Sequence, residues 1–391
     1  MKGFIYLIEI AIAAILMSVV LSVFFSIRLK QNWERADLIT VGTNIFNSAK
    51  NDKEFIVKIL NENLSIIDLN KPKNINYNLK ITGSPKSKIY IGCYINCEYL
   101  KDLLGYDEIY GSSVFLNNRW INFSIETFDI NSEIPSYYDA IVLINYTGYS
   151  NNDIKNRINE YLKNGGVVIG INSTESTDQN FREIFNLTVI PPATGSFLNF
   201  SFYEPLKDNI AEYFLGIGMD VYQDSFWYIW EERWYVEFWG GNKINLTFAT
   251  NPLINRTNLK EGDIFSLTGP DSKNYFFKIK KLWPNRADIQ ILNKSFVFKD
   301  FSERNIIGNK ILGNSSYAAL TTNNSAIWIS DFPKSDEYKL LLKSAILSKL
   351  DTWSPKTKQT TKEKVTLSYF ETLCCDMPET VKLYLTLWYE I

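Results

Sequence analysis

The chain begins with a long apolar stretch. From Phe4 to Ile27 it carries a single charged residue, Glu9. At 1.5 Å per residue, a helix of this length crosses a hydrocarbon core of about 30 Å. The stretch is longer than the apolar region of a cleaved signal peptide, and no small-residue cleavage site precedes Arg28. The pattern therefore predicts an uncleaved, single-pass transmembrane anchor over residues 1–30.

The next segment has helical spacing and then breaks. Leu38, Val41 and Ile45 recur on one helical face, which predicts an amphipathic continuation of the first helix. Alternation over Tyr77–Ile81 predicts a short strand, and the Gly and Pro residues that follow interrupt it. Residues 31–85 are therefore predicted to form a helical stalk with a short β segment.

From residue 86 the pattern becomes that of an α/β protein. Tyr138–Ile144 is almost wholly apolar, as a strand buried in a parallel sheet should be. An amphipathic helix follows, ends at Gly165-Gly166, and leads to a second apolar strand, Val167–Ile171. This order predicts a βαβ unit with a right-handed crossover. Residues 86–199 are predicted to be the first part of an α/β core, and residues 315–353 its second part.

The remaining segments differ in composition and in hydrophobic pattern. Residues 200–314 contain short β-type runs separated by Gly, Pro and Asn turns, which predicts an inserted antiparallel β domain. Residues 354–364 are polar and rich in Lys and Thr, and are typical of a linker. Residues 365–391 carry two β-type runs and predict a C-terminal β-hairpin.

Composition and charge narrow the function. The 391 residues contain no histidine, the side chain most often used for proton transfer near neutral pH. The net charge of -2 provides no field that would attract nucleic acid. No phosphate-binding glycine loop, calcium loop or metal-ligand spacing is present. The sequence thus predicts no cofactor and no metal.

The amino terminus resembles the class III signal sequence of archaeal type IV pilin-like proteins. The resemblance rests on Lys2-Gly3-Phe4, Glu9 and the apolar helix, and covers about the first 30 residues. It implies that Gly3 is the peptidase cut site, Phe4 the new amino terminus, and Glu9 the acid that pairs with a neighbour's amine during assembly. Glu9 lies one position later than in the usual pattern. An ordinary anchor with a hydrated Glu9 is the alternative.

The segments YDAIVL, YLKNGGVVIGI and NNSAIWISDF resemble the class I glutamine amidotransferase-like fold, a flavodoxin-type α/β fold. The resemblance implies a doubly wound parallel-sheet domain. The predicted fold class is accordingly α/β, with an N-terminal transmembrane helix, this domain, the antiparallel insertion and the hairpin. Active members use a cysteine on a strand-to-helix elbow and a histidine base. Here Asn172-Ser173-Thr174 follows the strand and no histidine exists, so the resemblance implies a degenerate, non-catalytic domain.

Acidic and sulfur-containing residues offer two further candidate chemistries. Glu231-Glu232, or Asp220 with Asp224, could support a carboxylate-dependent hydrolase. Acids this close in sequence are more often solvated surface residues. The cysteines form two close pairs, Cys93 with Cys97 and Cys374 with Cys375, which favours disulfides or free buried thiols over a thiolate metal site in an extracytoplasmic protein.

Glycosylation motifs are frequent along the chain. N-x-S/T acceptors occur at Asn63, Asn122, Asn145, Asn172, Asn186, Asn199, Asn245, Asn255, Asn293, Asn314 and Asn323. Chance occurrence in an Asn-rich chain is the alternative. The excess favours a glycosylated, extracytoplasmic body, although Arg28 and Lys30 would by the positive-inside rule favour the opposite orientation.

One aromatic cluster stands out in the β-rich segment. It contains Trp227, Trp230, Arg233, Trp234 and Trp239. Such side chains could form a glycan- or protein-binding surface, or fill the joint between the core and the insertion. We expect a cell-surface protein with a non-catalytic binding or scaffold domain. The alternatives are a pilin-like subunit that assembles with other copies through its first helix, and a carboxylate-dependent hydrolase.

Overall fold

The computed structural model describes the backbone of residues 2–52, 54–105, 112–172, 178–189, 199–202, 209–240, 242–299, 306–307, 310–313, 318–330, 335–356, 364–373 and 379–389. The chain divides into two compact units. Unit 1 comprises Met1–Gly83, Thr352–Glu371 and Thr380–Ile391, and unit 2 comprises Ser84–Asp351 and Thr372–Glu379.

Unit 1 combines three helices with a four-stranded antiparallel sheet of order β22-β1-β24-β23. Its elements are α1 (Lys2–Lys50), α2 (Phe55–Leu60), α3 (Ser65–Asn70), β1 (Ile75–Thr82), β22 (Thr352–Lys356), β23 (Val365–Leu373) and β24 (Glu379–Tyr389). The second half of α1 is buried on one face, through Leu38, Val41 and Ile45. Phe46 of this helix stacks on Tyr369 of β23 at 5.3 Å. The second half of α1 is thus amphipathic, and the two tail strands, β23 and β24, share their sheet with β1.

Unit 2 is built on a ten-stranded mixed sheet of order β17-β8-β19-β20-β21-β6-β5-β2-β4-β3. Its strands are β2 (Lys88–Cys93), β3 (Ser113–Leu116), β4 (Arg119–Thr127), β5 (Ala140–Ile144), β6 (Val167–Ile171), β8 (Asn199–Phe202), β17 (Val297–Lys299), β19 (Lys310–Gly313), β20 (Ala318–Asn323) and β21 (Ala326–Ile329). The central strands from β21 to β4 run parallel. The predicted βαβ unit, β5 to β6, is confirmed.

Two smaller four-stranded antiparallel sheets pack in the same unit. One contains β10 (Ser225–Ile229), β11 (Glu232–Trp239), β12 (Lys243–Phe248) and β13 (Asn255–Leu259). The other contains β9 (Met219–Tyr222), β14 (Ile264–Thr268), β15 (Asn274–Leu282) and β16 (Arg286–Ile291). A short pair joins β7 (Thr188–Val189) and β18 (Ile306–Ile307).

Helices cover both faces of the ten-stranded sheet. On one face, α5 (Asn152–Lys163), α6 (Gln179–Phe185) and a 3-10 turn (Gly148–Ser150) enclose an apolar cluster. On the other, α4 (Cys97–Leu103), α7 (Ile210–Gly216) and α8 (Asp336–Lys349) share one continuous core with both small sheets. The insertion therefore has no separate core, because its strands add to the large sheet and its aromatic residues fill the common interior.

The predicted fold class is wrong in two respects. The large sheet is mixed rather than purely parallel, because tight turns fold strands back at both sides of the parallel centre. Asn117 and Asn118 have φ angles of 49° and 60°, which a two-residue hairpin turn requires, and they place β3 antiparallel to β4. This Asn-Asn turn was not predicted from the sequence.

The second error concerns the first helix. Among the residues whose placement is described, no helix offers an apolar run long enough to traverse a bilayer. The predicted transmembrane helix is therefore not supported. Gly3, Phe4 and Glu9 belong to the helical backbone of α1, but the side chains of Phe4 and Glu9 lie outside the described residues.

Candidate functional site

In α/β proteins, ligands commonly bind at the carboxyl ends of the parallel strands. In unit 2 this edge carries an asparagine pair. The Asn172 side-chain amide donates a hydrogen bond to Asn145 Oδ1 at 2.8 Å. The backbone N–H of Asn145 donates to Ile171 O, and that of Asn172 donates to Ile329 O, both at 2.9 Å. Both asparagines have left-handed backbone conformations, so the pair links the ends of β5, β6 and β21.

The two cysteines in the described part of unit 2 are joined in a disulfide. Cys93 at the end of β2 forms a disulfide with Cys97 at the start of α4, with Cα atoms 5.6 Å apart. The intervening turn contains Asn96, whose φ of 59° reverses the chain direction. Neither sulfur is a thiol in this state, so neither can act as a nucleophile. Cys374 and Cys375 lie outside the described residues.

The aromatic cluster divides between two faces of one sheet. Trp227, Trp230 and Trp234 are buried, and Trp227 packs edge-on against Phe277 at 5.5 Å. These three tryptophans fill the interior, as one of the two interpretations predicted. Arg233 and Trp239 lie on the solvent side, with Trp239 60% exposed.

The solvent side of β10 and β11 carries, beside Arg233 and Trp239, the rings of Phe226, Tyr228 and Tyr235. We call Phe226, Tyr228, Arg233, Tyr235 and Trp239 the aromatic platform. Phe226 lies directly opposite Tyr235, and Tyr228 opposite Arg233. The Phe226 and Tyr235 rings are 5.7 Å apart, and the Arg233 guanidinium lies 5.4 Å from the Phe226 ring centre. Strand alternation could have separated this face from the buried tryptophans.

A small polar cleft adjoins the aromatic platform. It has a volume of about 130 Å³, and its lining includes Phe226, Ser225, Asp220, Asp336, Lys339 and Lys343. Lys343 Nζ lies 2.7 Å from Asp220 Oδ2, and Lys339 Nζ lies 2.9 Å from Asp336 Oδ1. Each ammonium group of the cleft is thus paired with a carboxylate.

Behind the cleft lies a buried charge cluster made of Asp220, Arg286, Asp288 and Lys343. Arg286 Nη2 donates to Asp220 Oδ1 at 2.6 Å, and its guanidinium lies 4.4 Å from the Trp120 ring centre. Burial opposes ionisation of Asp220, but the charges of Lys343 and Arg286 hold its pKa well below the ordinary value. Burial raises the pKa of Asp288 well above its ordinary value, and the adjacent Asp220 raises it further.

The acid pairs predicted from the sequence do not converge. Asp220 is buried in the charge cluster, whereas Asp224 lies in the exposed turn between β9 and β10 and accepts a hydrogen bond from Tyr235 Oη at 3.2 Å. Glu231 and Glu232 are exposed at the turn between β10 and β11. The acid that does face Asp220 is Asp288, which lies 68 residues further along the sequence and comes opposite Asp220 only because β9 pairs with β16.

Two acids at the start of α8 hold the β10 strand. Asp336 Oδ2 accepts the Tyr228 backbone N–H at 2.8 Å, and Glu337 Oε1 accepts the Trp230 backbone N–H at 2.9 Å. Glu337 is fully buried, and this burial raises its pKa to about 8. These hydrogen bonds fix the strand that carries Phe226 and Tyr228 to the helix that carries Lys339 and Lys343.

The predicted glycosylation positions differ in how their amides are used. Asn63, Asn122, Asn145, Asn186 and Asn255 are exposed, while Asn172, Asn245, Asn293 and Asn323 are half-buried. Asn323 Nδ2 donates to Ile184 O at 2.9 Å, and Asn172 Nδ2 is engaged with Asn145. The side chain of Asn199 and all of Asn314 lie outside the described residues.

Metal-binding groups do not cluster in the described part of the chain: no set of three or more Cys, Asp or Glu side chains is arranged to hold an ion. Asp220 and Asp288 are matched instead by Arg286 and Lys343.

Comparison with known proteins yields little. No protein-family model matches the chain, and no curated protein sequence matches it. Among solved structures, it is similar to a beta-galactosidase from the psychrophilic Marinomonas ef1, with 11% identity and a TM-score of 0.25. The match covers 84% of this chain and 40% of that one. A TM-score this low supports no conclusion about fold or function.

Proposed function

We propose that this protein is a non-catalytic binding or scaffold module. One observation carries the proposal: at the carboxyl ends of β5 and β6 stand two hydrogen-bonded amides, Asn145 and Asn172, and at that of β2 stands a disulfide-bonded cysteine, Cys93. Amides neither ionise nor attack carbonyls near neutral pH, and a disulfide sulfur is not a thiolate. An edge built this way suits holding a ligand or partner rather than transforming it.

The proposed compartment is extracytoplasmic. A disulfide between Cys93 and Cys97 persists where the surroundings are oxidising, and reducing cytosol would open it. The exposed asparagines of the N-x-S/T motifs, such as Asn63 and Asn186, are consistent with glycosylation in the same compartment. Protease added to intact cells is expected to digest the body of the protein. Complete protection in intact cells, with digestion after lysis, would contradict this location.

The experiment that tests the absence of catalysis is a turnover assay on the full-length purified protein. Glutamine, γ-glutamyl anilides and aryl glycosides serve as substrates, because they probe the amidotransferase-like and carboxylate-dependent alternatives. We expect no release of product above buffer. Product release that is lost in Asn145→Ala or Asp220→Asn would overturn the proposal, and Asp224→Asn is the matched control for an exposed acid.

A pilin-like assembly role is the second candidate, and α1 favours it. One face of the second half of this helix is buried in unit 1. In its first half, apolar side chains are exposed to solvent: Ile15, Met17 and Val20 are 64%, 67% and 66% exposed. An exposed apolar surface of this size in water is expected to be covered by a partner. The equivalent helices of other copies, or of pilin-like proteins, would cover it.

The resemblance to pilin-like proteins supplies the test of this second role. If Gly3 is the cut site, the mature protein begins at Phe4, which the mass of its amino-terminal peptide reveals. If Glu9 is the pairing acid, Glu9→Gln abolishes filaments seen by electron microscopy of cells, whereas Glu34→Gln, on the same helix, leaves them intact. Filaments that persist in the Glu9→Gln strain would contradict the assembly role.

A carboxylate-dependent hydrolase has less support. Hydrolysis of a glycosidic bond needs two accessible carboxyl groups on opposite sides of that bond. Asp220 is engaged by Arg286 and Lys343, and its partner Asp288 is 1% exposed. Asp220 is therefore held by two cations, and Asp288 is too deeply buried to act as the second accessible carboxyl group.

A further inference from the structure

We propose that the aromatic platform and the adjoining polar cleft bind a neutral oligosaccharide. This inference rests on the proposed binding function and names the class of its ligand. It is drawn from three properties of the site: flat aromatic faces on a rigid strand pair, a cleft of balanced charge, and the continuity between the two through Phe226.

The aromatic platform has the shape that sugar rings need. Pyranose rings stack their C–H faces on aromatic rings, and the large flat faces of Tyr and Trp are suited to this contact. Phe226 and Tyr235 lie opposite each other on neighbouring strands with their ring planes 60° apart, so they offer two separate stacking faces, and Trp239 lies four residues beyond Tyr235 on the same face of β11. At about 3.3 Å per residue, Tyr235 and Trp239 are roughly 13 Å apart along the strand. The platform therefore fits an extended chain better than a single ring.

The polar cleft provides the hydrogen-bonding end of the site. Its volume of about 130 Å³ holds several waters, and is smaller than the 300–1,000 Å³ of pockets that enclose a drug-sized ligand. Asp336 offers carboxylate acceptors and Lys339 offers ammonium donors, whereas the Ser225 hydroxyl already donates to Tyr222 O at 2.6 Å. Vicinal sugar hydroxyls donate and accept at adjacent positions, so a chain end inserted here can use both kinds of partner.

The charges of the cleft favour a neutral ligand. Lys343 is paired with Asp220, and Lys339 is paired with Asp336, so the lining has no excess charge of either sign. An anionic ligand would have to displace a carboxylate from its ammonium partner, and a cationic ligand would have to displace an ammonium. A polyol can add hydrogen bonds without breaking either ion pair.

The platform and the cleft are held together, which lowers the ordering cost of binding. Phe226 belongs to both surfaces. The hydrogen bonds from the Tyr228 and Trp230 backbone to Asp336 and Glu337 fix β10 to the first turn of α8, one turn before Lys339 and two before Lys343. A sugar chain therefore meets a preformed surface.

Calorimetric titration of the full-length protein tests the inference. The probes are cellohexaose, maltohexaose and mannohexaose, with hexagalacturonate as the acidic comparison. We expect at least one neutral hexaose to bind, and expect Phe226→Ala and Tyr235→Ala to raise its Kd about tenfold or more. Phe276→Ala is the matched control, since Phe276 is 47% exposed on β15, in the other small sheet.

Every outcome of these experiments either supports oligosaccharide binding or overturns it. Lys339→Met is expected to weaken binding without changing the circular dichroism spectrum, and Phe226→Leu replaces Phe226→Ala should the latter fail to fold. Failure of every neutral hexaose to bind overturns the inference, as does binding that is confined to hexagalacturonate or unaffected by the platform variants. The turnover assay is independent of these titrations. A failure of oligosaccharide binding therefore leaves the proposed non-catalytic function intact, and turnover would overturn that function without bearing on the binding result.

Discussion

Asp220 and Asp288 lie directly opposite each other across the antiparallel pair of β9 and β16, inside the core of unit 2. Two buried carboxyl groups this close cannot both ionise without a large penalty. Arg286 and Lys343 bind Asp220, which therefore holds the negative charge, and Asp288 is the member of the pair that retains a proton. The two acids thus have different roles despite their symmetric positions.

This asymmetry predicts different effects of two similar substitutions. Asp220→Asn leaves Arg286 and Lys343 without their buried counter-charge, and is expected to lower the free energy of unfolding by about 3–5 kcal/mol. Asp288→Asn replaces a protonated carboxyl by a neutral amide of the same shape, and is expected to change it by less than about 1 kcal/mol. Urea unfolding at pH 7 measures both. Asp224→Asn, at an exposed turn, is the control, and equal losses for Asp220→Asn and Asp288→Asn would refute the assignment.

The buried Glu337 predicts a pH dependence of stability. Its pKa is raised to about 8 in the folded protein, against an ordinary value of 4.5, so the folded state holds the proton more tightly than the unfolded state. The contribution of Glu337 is therefore fully present below about pH 4.5 and is lost as the pH rises through about 8. Relative to wild type, Glu337→Gln should gain stability between pH 5 and pH 8, by up to a few kcal/mol.

Glu337→Gln is a suitable comparison because its carbonyl oxygen can still accept the Trp230 N–H. The difference in unfolding free energy between variant and wild type, measured from pH 5 to pH 8, removes the contributions of other titrating groups. A difference that stays constant across this range would show that Glu337 does not change its protonation on unfolding. Glu231→Gln, at an exposed position nearby, is expected to give such a constant difference.

The Cys93–Cys97 disulfide closes a loop of five residues, with a sequence separation of 4. By the loop-entropy relation, a loop this short stabilises the folded state by roughly 2 kcal/mol. Reduction with dithiothreitol is expected to lower the free energy of unfolding by that amount in wild type and to have no such effect in the Cys93→Ser, Cys97→Ser double variant. Alkylation and mass spectrometry of the peptide without prior reduction check that the bond is present. Recovery of both cysteines as alkylated thiols would contradict it.

Elements defined by local pattern could be predicted from the sequence. The apolar runs that became β5 and β6 and the helix between them follow from periodicity and a Gly-Gly stop, which are properties of neighbouring residues. The helical face of Leu38, Val41 and Ile45 is of the same kind. These patterns need no knowledge of which strand lies beside which.

Features defined by pairing could not be predicted. The charge cluster joins Asp220 to Arg286 and Lys343 over separations of 66 and 123 residues, and nothing local marks these residues as partners. The aromatic platform was partly visible, because alternation along β11 separates Trp234 from Arg233 and Tyr235. The sequence could not say which of the two faces the core would cover.

The engagement of asparagine amides predicts which N-x-S/T motifs carry glycan. Attachment requires a free Nδ2, but Asn323 Nδ2 donates to Ile184 O and Asn172 Nδ2 donates to Asn145. At Asn63, by contrast, the side-chain contact uses Oδ1, which accepts the Ser65 N–H at 3.1 Å. Mass spectrometry of glycopeptides from the native host is expected to find glycan at Asn63 and none at Asn172 or Asn323. Quantitative occupancy at Asn323 would contradict the described contacts.

The packing of α1 in unit 1 depends on Gly42, whose position faces the sheet. A Cβ atom at this residue would lie 2.5 Å from Leu367 Cδ1 of β23 and 3.1 Å from Leu387 Cδ1 of β24. Helix propensity alone would favour Gly42→Ala by about 1 kcal/mol. Crowding against the two leucines opposes this gain, since overpacking a filled core costs about 1–3 kcal/mol.

The expected net result for Gly42→Ala is a loss of up to about 2 kcal/mol in the unfolding free energy, the crowding cost less the gain in helix propensity. Thr43→Ala, one position along the same helix and exposed, is the matched control and should be neutral or slightly stabilising. The double variant Gly42→Ala, Leu367→Ala is expected to recover part of the loss of Gly42→Ala relative to Leu367→Ala alone, because the shortened side chain makes room for the added methyl. A stabilising Gly42→Ala would show that the helix does not approach the sheet at this point.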